Sequence, residues 1–525
     1  MIIRSQFPDV TIPEIPYHSF ILHRAEEWKD KPAFIDGLTG RTLTFGQVAG
    51  GARLVAASLA QRGFKKGDVF AIFSPNVPEY AIVFHAVAML GGIVTTANPL
   101  YTADELAFQL TDTRAKYIVT VPPFVDKVAA AMPASSVQEI FVFGEAAGAT
   151  PFAELLQSDG QLPDVSIDPR RDLCVLPYSS GTAGKPKGVM LTHYNLVAIT
   201  RQIENLARYD ETNRTLGILP FFHIYGMVVL MNYPLYRGGT CVTMPRFDLE
   251  QFLQITQDYS VTHLYLVPPI VLALAKHPSV EKYNLSKVKL INSGAAPLDA
   301  RIQQLTADRI GCLVTQGYGM TETSLAISIT PDTPEKNRLG ASGLLLPNMR
   351  AKIADPVTGD ELGANERGEI CVKGPNIMQG YLNNPAATAS TIKDGWLHTG
   401  DIGYVDADGY FYVVDRVKEL IKYKAMQVAP AELEAVLLSN PAIADAAVIG
   451  SPDEEAGEVP KAFVVLKSPL TPEEIMAYVA ARVAPHKKIR RVEITDSIPK
   501  SASGKILRRI LVERERELQR ETTGS

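Results

Sequence analysis

The chain contains 525 residues, of which 46% are hydrophobic and 21% charged, and its formal net charge is −5 at pH 7. This balance, with a mean hydropathy of +0.03, is typical of a soluble globular protein with two or more domains. The small excess of acidic residues, without a long basic tract, argues against a nucleic-acid-binding protein.

The first 340 residues alternate helix-like and strand-like segments. Residues 45–64 repeat apolar side chains at helical spacing, and residues 65–76 follow as a turn and a buried strand. The most apolar segment, 81–97, contains His85 and is too short for a comfortable membrane span, so it predicts a buried helix that runs into a strand. Further strands are predicted at 115–122, 139–144, 216–222, 262–269 and 288–294. This alternation predicts parallel sheets with helices on their faces.

After residue 340 the pattern changes to short strands and glycine turns, such as the acidic turn "DADG" at 406–409. Beyond Asp415 a compact module begins, with a helix that starts near Pro430 and a second that has a capping box from Thr471 to Glu474. We therefore expect an α/β fold with a large N-terminal body (1–414), which ends in a β-rich subdomain. A small, mobile α+β domain (415–525) follows, with the hinge at Asp415.

The four cysteines are far apart, without a C-x-x-C pair or histidines at zinc-binding spacing. We expect reduced thiols in a cytoplasmic protein. The N-terminal segment, interrupted by prolines and acidic residues, does not resemble a signal peptide.

The segment "YSSGTAGKPKGVM" (178–190) combines hydroxyl groups, glycines and two lysines, all of which can donate hydrogen bonds to one anion. It is not a Walker loop, because Pro186 stands where that motif needs a hydroxyl residue after the lysine. It also lacks the G-x-S-x-G elbow of hydrolases. An ordinary turn of small residues would explain "SSGT" alone, but the whole segment indicates a phosphate-binding loop.

This segment resembles the SGTTGxPKG signature of the adenylate-forming superfamily (acyl-CoA synthetases, luciferases and peptide-synthetase adenylation domains) and departs from it at Ala183. Five further segments resemble signatures of the same superfamily in the same order, over essentially the full length. They are "INSGAAPL" (291–298), "QGYGMTET" (316–323), "WLHTGDIGY" (396–404), "VVDRVKELIKYKAMQVAPAELE" (413–434) and "PKSASGKILRR" (499–509).

The resemblance implies a two-step reaction. A carboxylate attacks the α-phosphate of ATP to give an acyl-adenylate and pyrophosphate, and a thiol, here coenzyme A, then displaces AMP. The first step brings two anions together, so cations and hydrogen-bond donors must offset their repulsion. Mg²⁺, which prefers oxygen ligands, belongs to this chemistry.

The resemblance also implies roles for individual residues. Thr321 would touch the α-phosphate, Glu322 would hold Mg²⁺, and Lys505 would bridge the carboxylate and the α-phosphate. The β- and γ-phosphates would contact Ser179, Ser180, Gly181, Thr182 and Lys187. The nucleoside would contact Ala295, Ala296, Pro297, Gln316, Gly317, Tyr318, Gly319, Met320, Asp401 and Arg416. The thiol step would use His223, Lys422, Lys424, Ala425 and Gln427.

Each role has a simpler alternative. Glu322 could begin a helix, Asp401 could be a turn residue, and Lys505 could be a solvated lysine on a basic helix. His223 lies among aromatic residues, where a histidine is more often a packing residue than a catalytic one. These simpler interpretations are less convincing when the motifs are considered together, because all of them occur in one chain.

Within the superfamily, "LPFFHIYGM" (219–227) and the 422–434 segment are most similar to 4-coumarate–CoA ligases and their bacterial relatives. The implied acid pocket is lined by Tyr225, Val229, Asn292, Ala295, Gly317 and Leu325. Asn292 is polar where an apolar wall is common, so we expect its amide to meet a polar substituent of the acid. An aryl or arylpropenoic acid is the expected substrate. The alternatives are a medium-chain fatty acid and transfer to a carrier-protein thiol.

A further departure concerns the thiol. Ala425 and Met426 replace the glycine and aromatic residue usual in this loop, and a methyl group at 425 would narrow the path of the pantetheine arm. Ala425→Gly is therefore expected to raise the thioester-forming rate more than the adenylation rate. An oxygen-using luciferase shares every one of these motifs, but nothing in the sequence specifically favours it. A catalytically silent binding or scaffold protein would be expected to have lost Glu322 or Lys505, and both are present.

Overall fold

The structure is a computed structural model that describes residues 1–179, 186–416, 419–423, 426–453, 456–501 and 504–523. For Arg416, Lys422, Met426, Gln427 and residues 519–523, the description stops at the backbone. The predicted phosphate-loop residues Ser180, Gly181 and Thr182 and the predicted thiol-loop residues Lys424 and Ala425 lie outside the described residues.

The first sheet of the described chain has a parallel centre and an antiparallel edge. Its strands, in spatial order, are Gly380–Tyr381, Lys187–Thr192, Leu173–Ser179, Ile93–Thr96, Val69–Phe73, Ala115–Thr120, Glu139–Val142 and Thr150–Pro151. The segment 81–97 is the buried helix Tyr80–Met89 followed by the strand Ile93–Thr96, as predicted. The phosphate-loop segment joins two paired strands, because Ser179 and Lys187 are cross-strand neighbours.

The second sheet begins as a parallel sheet and continues into the antiparallel β-rich subdomain. Its parallel strands, in spatial order, are Pro32–Asp36, Thr240–Thr243, Arg214–Gly217, His263–Leu266, Leu290–Ser293 and Leu313–Tyr318. The other strands are Ile2–Arg4, Thr42–Thr44, Ser328–Ile329, Gly343–Leu345, Arg350–Ala354, Gly368–Lys373, Ile392–Lys393, Trp396–Val405 and Tyr410–Arg416. The predicted turn at 406–409 joins the last two, and Gly409 adopts a φ of +85° there.

Helices pack between and outside the two sheets, and a single core of buried side chains includes residues of both sheets. Several helices begin with a capping box, which is formed by Thr44, Thr102, Thr192 and Thr471. The α-helices are Tyr17–Ile21, Phe45–Gln61, Tyr80–Met89, Ala103–Thr113, Val125–Ala131, Phe152–Leu155, His193–Glu204, Tyr233–Arg237, Leu249–Asp258, Pro268–Lys276, Ala300–Ile310, Pro385–Thr391, Pro430–Leu438, Pro472–Ala480 and Arg508–Thr523. Shorter or wider helical turns are Pro122–Phe124, Met132–Ala134, Gly226–Asn232, Pro278–Lys282, Thr321–Thr323, Pro334–Lys336 and Pro485–Lys487.

One predicted strand is shorter than the sequence suggested. The strand expected at 216–222 ends at Gly217, because the chain turns away there. The buried amide of Asn76 donates to the carbonyls of Gly217 (2.8 Å) and Leu219 (2.9 Å), and its oxygen accepts from the amide of Phe221 (2.7 Å). These three hydrogen bonds take the place of strand pairing for this part of the backbone. The residues that follow lead to the cavity described below.

The C-terminal module has its own sheet, with strands Ile421–Tyr423, Met426–Val428, Ile443–Asp453, Gly457–Leu466 and Arg491–Ile494. The helices Pro430–Leu438 and Pro472–Ala480 contribute to one apolar core, whereas the helix Arg508–Thr523 contributes to another. Asp415 lies in a strand of the large sheet, and the next strand, Ile421–Tyr423, belongs to the small sheet. The mixed α/β fold with a large body and a smaller α+β module is as expected.

Among the described helices, none is both long and apolar enough to cross a lipid bilayer.

Candidate active site

A cavity of about 590 Å³ lies where the parallel strands of the second sheet end and the β-rich subdomain and the C-terminal module meet the body. The crevice outside the carboxyl ends of parallel strands is the usual ligand site of such sheets. Fifteen of the predicted site residues line it. They are Ser179, Lys187, His223, Tyr225, Val229, Asn292, Ala295, Gly317, Tyr318, Gly319, Met320, Thr321, Glu322, Leu325 and Lys505.

Lys187 and Glu322 are linked through a residue that the sequence reasoning missed, Tyr381. The Tyr381 hydroxyl donates to Oε1 of Glu322 at 2.8 Å. The ammonium of Lys187 lies 4.8 Å from the centre of the same ring, a cation–π contact. The strand Gly380–Tyr381 pairs with the strand that begins at Lys187, so the sheet fixes this arrangement. Only this tertiary pairing identifies Tyr381.

The 316–323 segment carries Thr321 and Glu322 into the cavity on a single helical turn, Thr321–Thr323, just after a strand. Glu322 is only 4% exposed. Gly319 is required here, because a Cβ atom would lie 1.9 Å from the carbonyl oxygen of Leu325. The buried amide of Asn376 donates to the carbonyls of Thr323 (2.8 Å) and Ala326 (3.0 Å) and thereby holds the turn.

Some of the residues predicted to bind the nucleoside line the cavity, and others lie outside its lining. Ala295 lines the cavity with a φ of +70°, while Ala296 and Pro297 are exposed beside it and do not belong to its lining. Gln316 is buried, and its side chain exchanges hydrogen bonds with the backbone of Leu298 at 2.9 and 3.1 Å. The Gln316 side chain therefore stabilises the turn at 295–298.

Asp401 is held beside the cavity by several hydrogen bonds. Its carboxylate accepts from the hydroxyl of Tyr318 at 2.7 Å, and its amide donates to Oγ1 of Thr399 at 3.1 Å. Glu369 accepts from the amide of Gly400 at 3.0 Å and contacts Nδ1 of His398 at 2.8 Å. Arg416 is the cross-strand neighbour of Asp401. The segment 398–401 is thus tied to the strand Gly368–Lys373, a support that the sequence did not indicate.

Lys505 reaches the cavity from a turn that precedes the last helix. Ser501 and Lys505 close this turn with two hydrogen bonds, of 2.7 and 3.1 Å, and Gly504 has a φ of +76°. A Cβ atom on Gly504 would lie 3.2 Å from the side chain of Val267, so the turn rests against the body. Lys505 is therefore not a solvated lysine on the basic helix, which begins only at Arg508.

His223 is half-buried in the cavity wall and feels the charge of Lys505. Burial, and then the positive charge of Lys505, lower the pKa of His223 to about 4, so the ring is neutral at pH 7. Its Nδ1 accepts from the amide of Tyr225 at 3.3 Å, which leaves the hydrogen on Nε2. The ring thus offers a hydrogen-bond donor in the cavity wall, near the cation of Lys505.

The predicted acid-pocket residues lie together. The hydroxyl of Tyr225 donates to Oδ1 of Asn292 at 3.0 Å, and the Asn292 amide donates to Oγ1 of Thr315 at 3.0 Å. Asn292 therefore already has partners within the protein and does not need the acid to supply one. Five apolar or aromatic residues that line the same cavity were not predicted, because they lie on separate elements and gave no local signal. They are Ile203, Ala207, Phe222, Tyr233 and Tyr265.

Charged side chains tie together the first segments of the C-terminal module. Asp415 accepts from the amide of Ala431, at the start of the helix Pro430–Leu438, at 3.0 Å. Within the module, Arg508 contacts Glu434 at 2.7 and 2.8 Å and Glu419 at 2.5 Å. Lys422 and Gln427 are cross-strand neighbours in the small sheet.

Family profiles, sequence relatives and a solved structure that resemble this chain all belong to the same kind of enzyme. The profile for "AMP-binding enzyme" matches residues 21–382, and that for "AMP-binding enzyme C-terminal domain" matches residues 432–505. The chain is 43% identical over 525 residues to 4-coumarate–CoA ligase 5 of Oryza sativa subsp. japonica, covering 97% of this chain and 96% of the relative. It is 44% identical over 519 residues to 4-coumarate–CoA ligase of Pinus taeda, with the same coverage. The structure of the anthranilate–CoA ligase AuaEII with anthranoyl-AMP superimposes with a TM-score of 0.89 at 26% identity, covering 96% of this chain and 98% of that one.

Proposed function

Because the chain belongs to the AMP-binding enzyme family, we propose that it joins a carboxylic acid to coenzyme A in two steps, through an acyl-adenylate formed from ATP. The acid is of the hydroxycinnamic or a related aryl type. The observation that carries this proposal is that Lys187, Glu322 and Lys505, from three distant segments and two domains, line one cavity together with an aromatic pocket.

In the first step, two anions must approach each other. Lys187 offsets the charge of the departing pyrophosphate together with the loop 179–182, and Thr321 donates to the α-phosphate. Lys505 bridges the attacking carboxylate and the α-phosphate, and the neutral His223 donates through Nε2 beside it. A cation and fixed donors in one cavity stabilise the charge that develops at phosphorus. Asp401 and Arg416 hold the ribose.

The residues present also fit Mg²⁺. The carboxylate of Glu322 is buried, lines the cavity and has one oxygen engaged by Tyr381, which leaves the other available to an oxygen-seeking cation. When bound, Mg²⁺ would neutralise phosphate charge and help to orient the nucleotide. Tyr381 and Lys187 keep the carboxylate and the phosphate-binding ammonium at a fixed separation.

The acid pocket favours an aromatic acid with a polar substituent. Ile203, Ala207 and Val229 are apolar, and three tyrosines, Tyr225, Tyr233 and Tyr265, supply flat ring surfaces. The Tyr225 hydrogen is committed to Asn292, so the Tyr225 oxygen acts toward a ligand as an acceptor. A phenolic hydroxyl is the matching donor. A saturated medium-chain acid would use the apolar walls but not this acceptor.

The second step requires the small domain to move. Residues 1–414 form the body, residues 415–525 form the mobile domain, and Asp415 is the hinge. Lys505 lines the cavity in the described arrangement, which supports its role in the first step. Rotation about Asp415 would exchange it for the loop that carries Lys422, Lys424, Ala425 and Gln427. That loop then lines the path of the pantetheine thiol.

ATP–pyrophosphate exchange over a panel of acids tests the first step, and consumption of coenzyme A with AMP release tests the second. We expect exchange with 4-hydroxycinnamic acids, and thioester formation when coenzyme A is added. Exchange confined to medium-chain fatty acids would contradict the acid class. Exchange without thioester formation, but with acylation of a carrier protein, would contradict the thiol. No exchange with any acid would contradict the proposed enzyme activity.

A further inference from the structure

Glu369, Cys371 and His398 bring three kinds of metal ligand together at the wall of the cavity. Nδ1 of His398 lies 2.8 Å from Oε2 of Glu369 and 3.4 Å from Sγ of Cys371. One ligand atom from each of the three residues lies within 4.8 Å of the other two. In the described part of the chain, no second group of three such residues lies this close together. The proposed reaction uses none of the three side chains, so their meeting needs a separate explanation.

Strand pairing fixes the positions of the three residues. Glu369 and Cys371 are two residues apart on the strand Gly368–Lys373, the spacing at which side chains share one face of a strand. His398 is the cross-strand neighbour of Cys371, and the pairing shifts register between Cys371 and Glu369. Because His398 lies 27 residues after Cys371, the search for zinc-binding spacing in the sequence did not reveal this cluster.

The separations between the ligand atoms suit a tetrahedral cation such as Zn²⁺. Bonds of about 2.3 Å to sulfur and about 2.0 Å to nitrogen, at a tetrahedral angle, place the two ligand atoms about 3.5 Å apart. The separation of 3.4 Å between Cys371 and His398 already matches this value. The separation of 2.8 Å between Glu369 and His398 would open by about half an ångström when the cation replaces the hydrogen bond.

The ligand types distinguish this cluster from the Mg²⁺ site proposed at Glu322. A thiolate and an imidazole suit Zn²⁺ and similar borderline-soft cations, whereas Mg²⁺ prefers oxygen ligands. Glu369 and His398 line the cavity, and Cys371 is buried. A cation held by the three residues would therefore keep its remaining coordination position on the cavity side, where water can fill it.

A reactive thiol is the alternative use of Cys371, and its surroundings argue against it. Burial, and then the carboxylate of Glu369, raise the pKa of Cys371 to about 12, although Lys352 and Lys393 act in the opposite direction. A buried, protonated thiol is a poor nucleophile. A bound cation would replace the thiol proton. The ammonium of Lys352 is itself paired with Glu361 at 3.6 Å, which limits its repulsion of such a cation.

We propose that Glu369, Cys371 and His398 form a binding site for Zn²⁺ or a similar borderline-soft divalent cation. The ligands are a carboxylate oxygen, the thiolate and Nδ1. Metal binding here does not depend on the proposed acid-activating function, since none of the three residues takes part in that reaction. Glu369 also accepts from the amide of Gly400, the residue before Asp401, so the site adjoins the segment assigned to the ribose.

The test uses the full-length protein, freed of metal by a chelator and titrated with Co²⁺ as a spectroscopic substitute for Zn²⁺. We expect a thiolate-to-Co²⁺ charge-transfer band in the near ultraviolet, which saturates at a single Co²⁺ per chain and is abolished by added Zn²⁺. Cys371→Ser should remove the band and weaken Zn²⁺ binding more than about 100-fold, because loss of an outer partner alone costs about 10- to 100-fold. A band absent from the wild type, or retained in Cys371→Ser, would overturn the proposal.

Two controls separate this site from other metal-binding groups. Cys312→Ser is the matched control, because Cys312 is a partly buried free thiol that does not belong to the cluster. Glu322→Gln removes the carboxylate proposed for Mg²⁺. Both variants should leave the charge-transfer band unchanged, and loss of the band in either would contradict the assignment to Cys371.

X-ray absorption at the zinc edge of the loaded wild type decides the question even where Cys371→Ser fails to fold. We expect a single sulfur ligand at about 2.3 Å and nitrogen or oxygen ligands at about 2.0 Å. A spectrum with nitrogen and oxygen ligands alone would show that Cys371 does not bind the cation. The three residues would then form a hydrogen-bonded cluster and not a metal site.

Discussion

The hydroxyl of Tyr381 donates a 2.8 Å hydrogen bond to Oε1 of Glu322, two residues that are 59 positions apart in the chain. Tyr381 lies on a two-residue strand at the edge of the first sheet, and Glu322 on a turn that follows a strand of the second. The bond orients a buried carboxylate without neutralising it. The ammonium of Lys187 lies over the same tyrosine ring, so Tyr381 contacts both side chains.

Tyr381→Phe should weaken metal-dependent nucleotide binding while it preserves the ring beneath Lys187. We expect the Mg²⁺ concentration for half-maximal exchange to rise about tenfold, because the lost hydrogen bond no longer orients Glu322. Mn²⁺ binding in the presence of an ATP analogue, followed by electron paramagnetic resonance, should weaken in parallel. Tyr404→Phe, which alters a ring stacked on Tyr412 at 4.8 Å, is the control. An unchanged metal dependence would contradict the role of Tyr381.

Lys505→Met should lower adenylate formation by about 10²- to 10³-fold, the usual effect of removing a group that stabilises developing charge. Thioester formation from a supplied acyl-adenylate should remain within a few-fold of the wild type, because that step proceeds after Lys505 has left the centre. Lys500→Met is the control, since Lys500 pairs with Asp445 at 2.6 Å and does not line the cavity. Equal losses in both steps would contradict the assignment of Lys505 to adenylate formation alone.

The same variant should change the titration of His223. The charge of Lys505 is one of the two causes that lower the pKa of His223, and burial is the larger one. Removing the ammonium should therefore raise this pKa from about 4, though burial keeps it below the usual value of the ring. Nuclear magnetic resonance titration of the ring in wild type and variant measures the shift. A pKa that does not move would mean that Lys505 does not lie close to His223 in solution.

Asp415→Pro should stall thioester formation and spare adenylation. Proline fixes φ, so the rotation assigned to this position would be lost, whereas the arrangement that places Lys505 in the cavity would persist. Asp415→Asn is the control, because it keeps backbone freedom and an oxygen that can accept from the amide of Ala431. Single-turnover rates of the two steps separate the outcomes. An equal effect of Asp415→Pro on both steps would contradict the assignment of the hinge to Asp415.

Asp332→Asn should stabilise the protein at alkaline pH. Burial raises the pKa of Asp332 from 3.8 to about 7, although the amide of Arg208 donates to it at 3.1 Å. The folded protein thus holds this proton more tightly than the unfolded chain, and stability is lost as the pH rises from about 4 through 7. The variant's gain in unfolding free energy should be about 2–3 kcal/mol larger at pH 8 than at pH 5. Denaturant titrations at both pH values measure it, and a gain independent of pH would contradict the raised pKa.

Local signals predicted much of the fold. The capping box at Thr471, the helix start at Pro430 and the buried helix-to-strand segment at 81–97 are all confirmed, because each depends on a few neighbouring residues or on a local apolar pattern. The strand predicted at 216–222 was too long, because the side chain that ends it, Asn76, lies more than 140 residues earlier in the chain. No local pattern carries such a contact.

The sequence by itself determined the chemistry of the family, since the phosphate loop, the 316–323 segment and the lysine segment are each contiguous and read in order. Tertiary structure alone decided what holds and shapes the site. It paired Tyr381 with Glu322, bonded Gln316 to the backbone of Leu298, supplied Asn292 with Tyr225 and Thr315, and brought Tyr265 to the cavity lining. The physical reason is that hydrogen bonds and cavity walls join residues by distance in space, and folding of sheets and domains sets that distance independently of order along the chain.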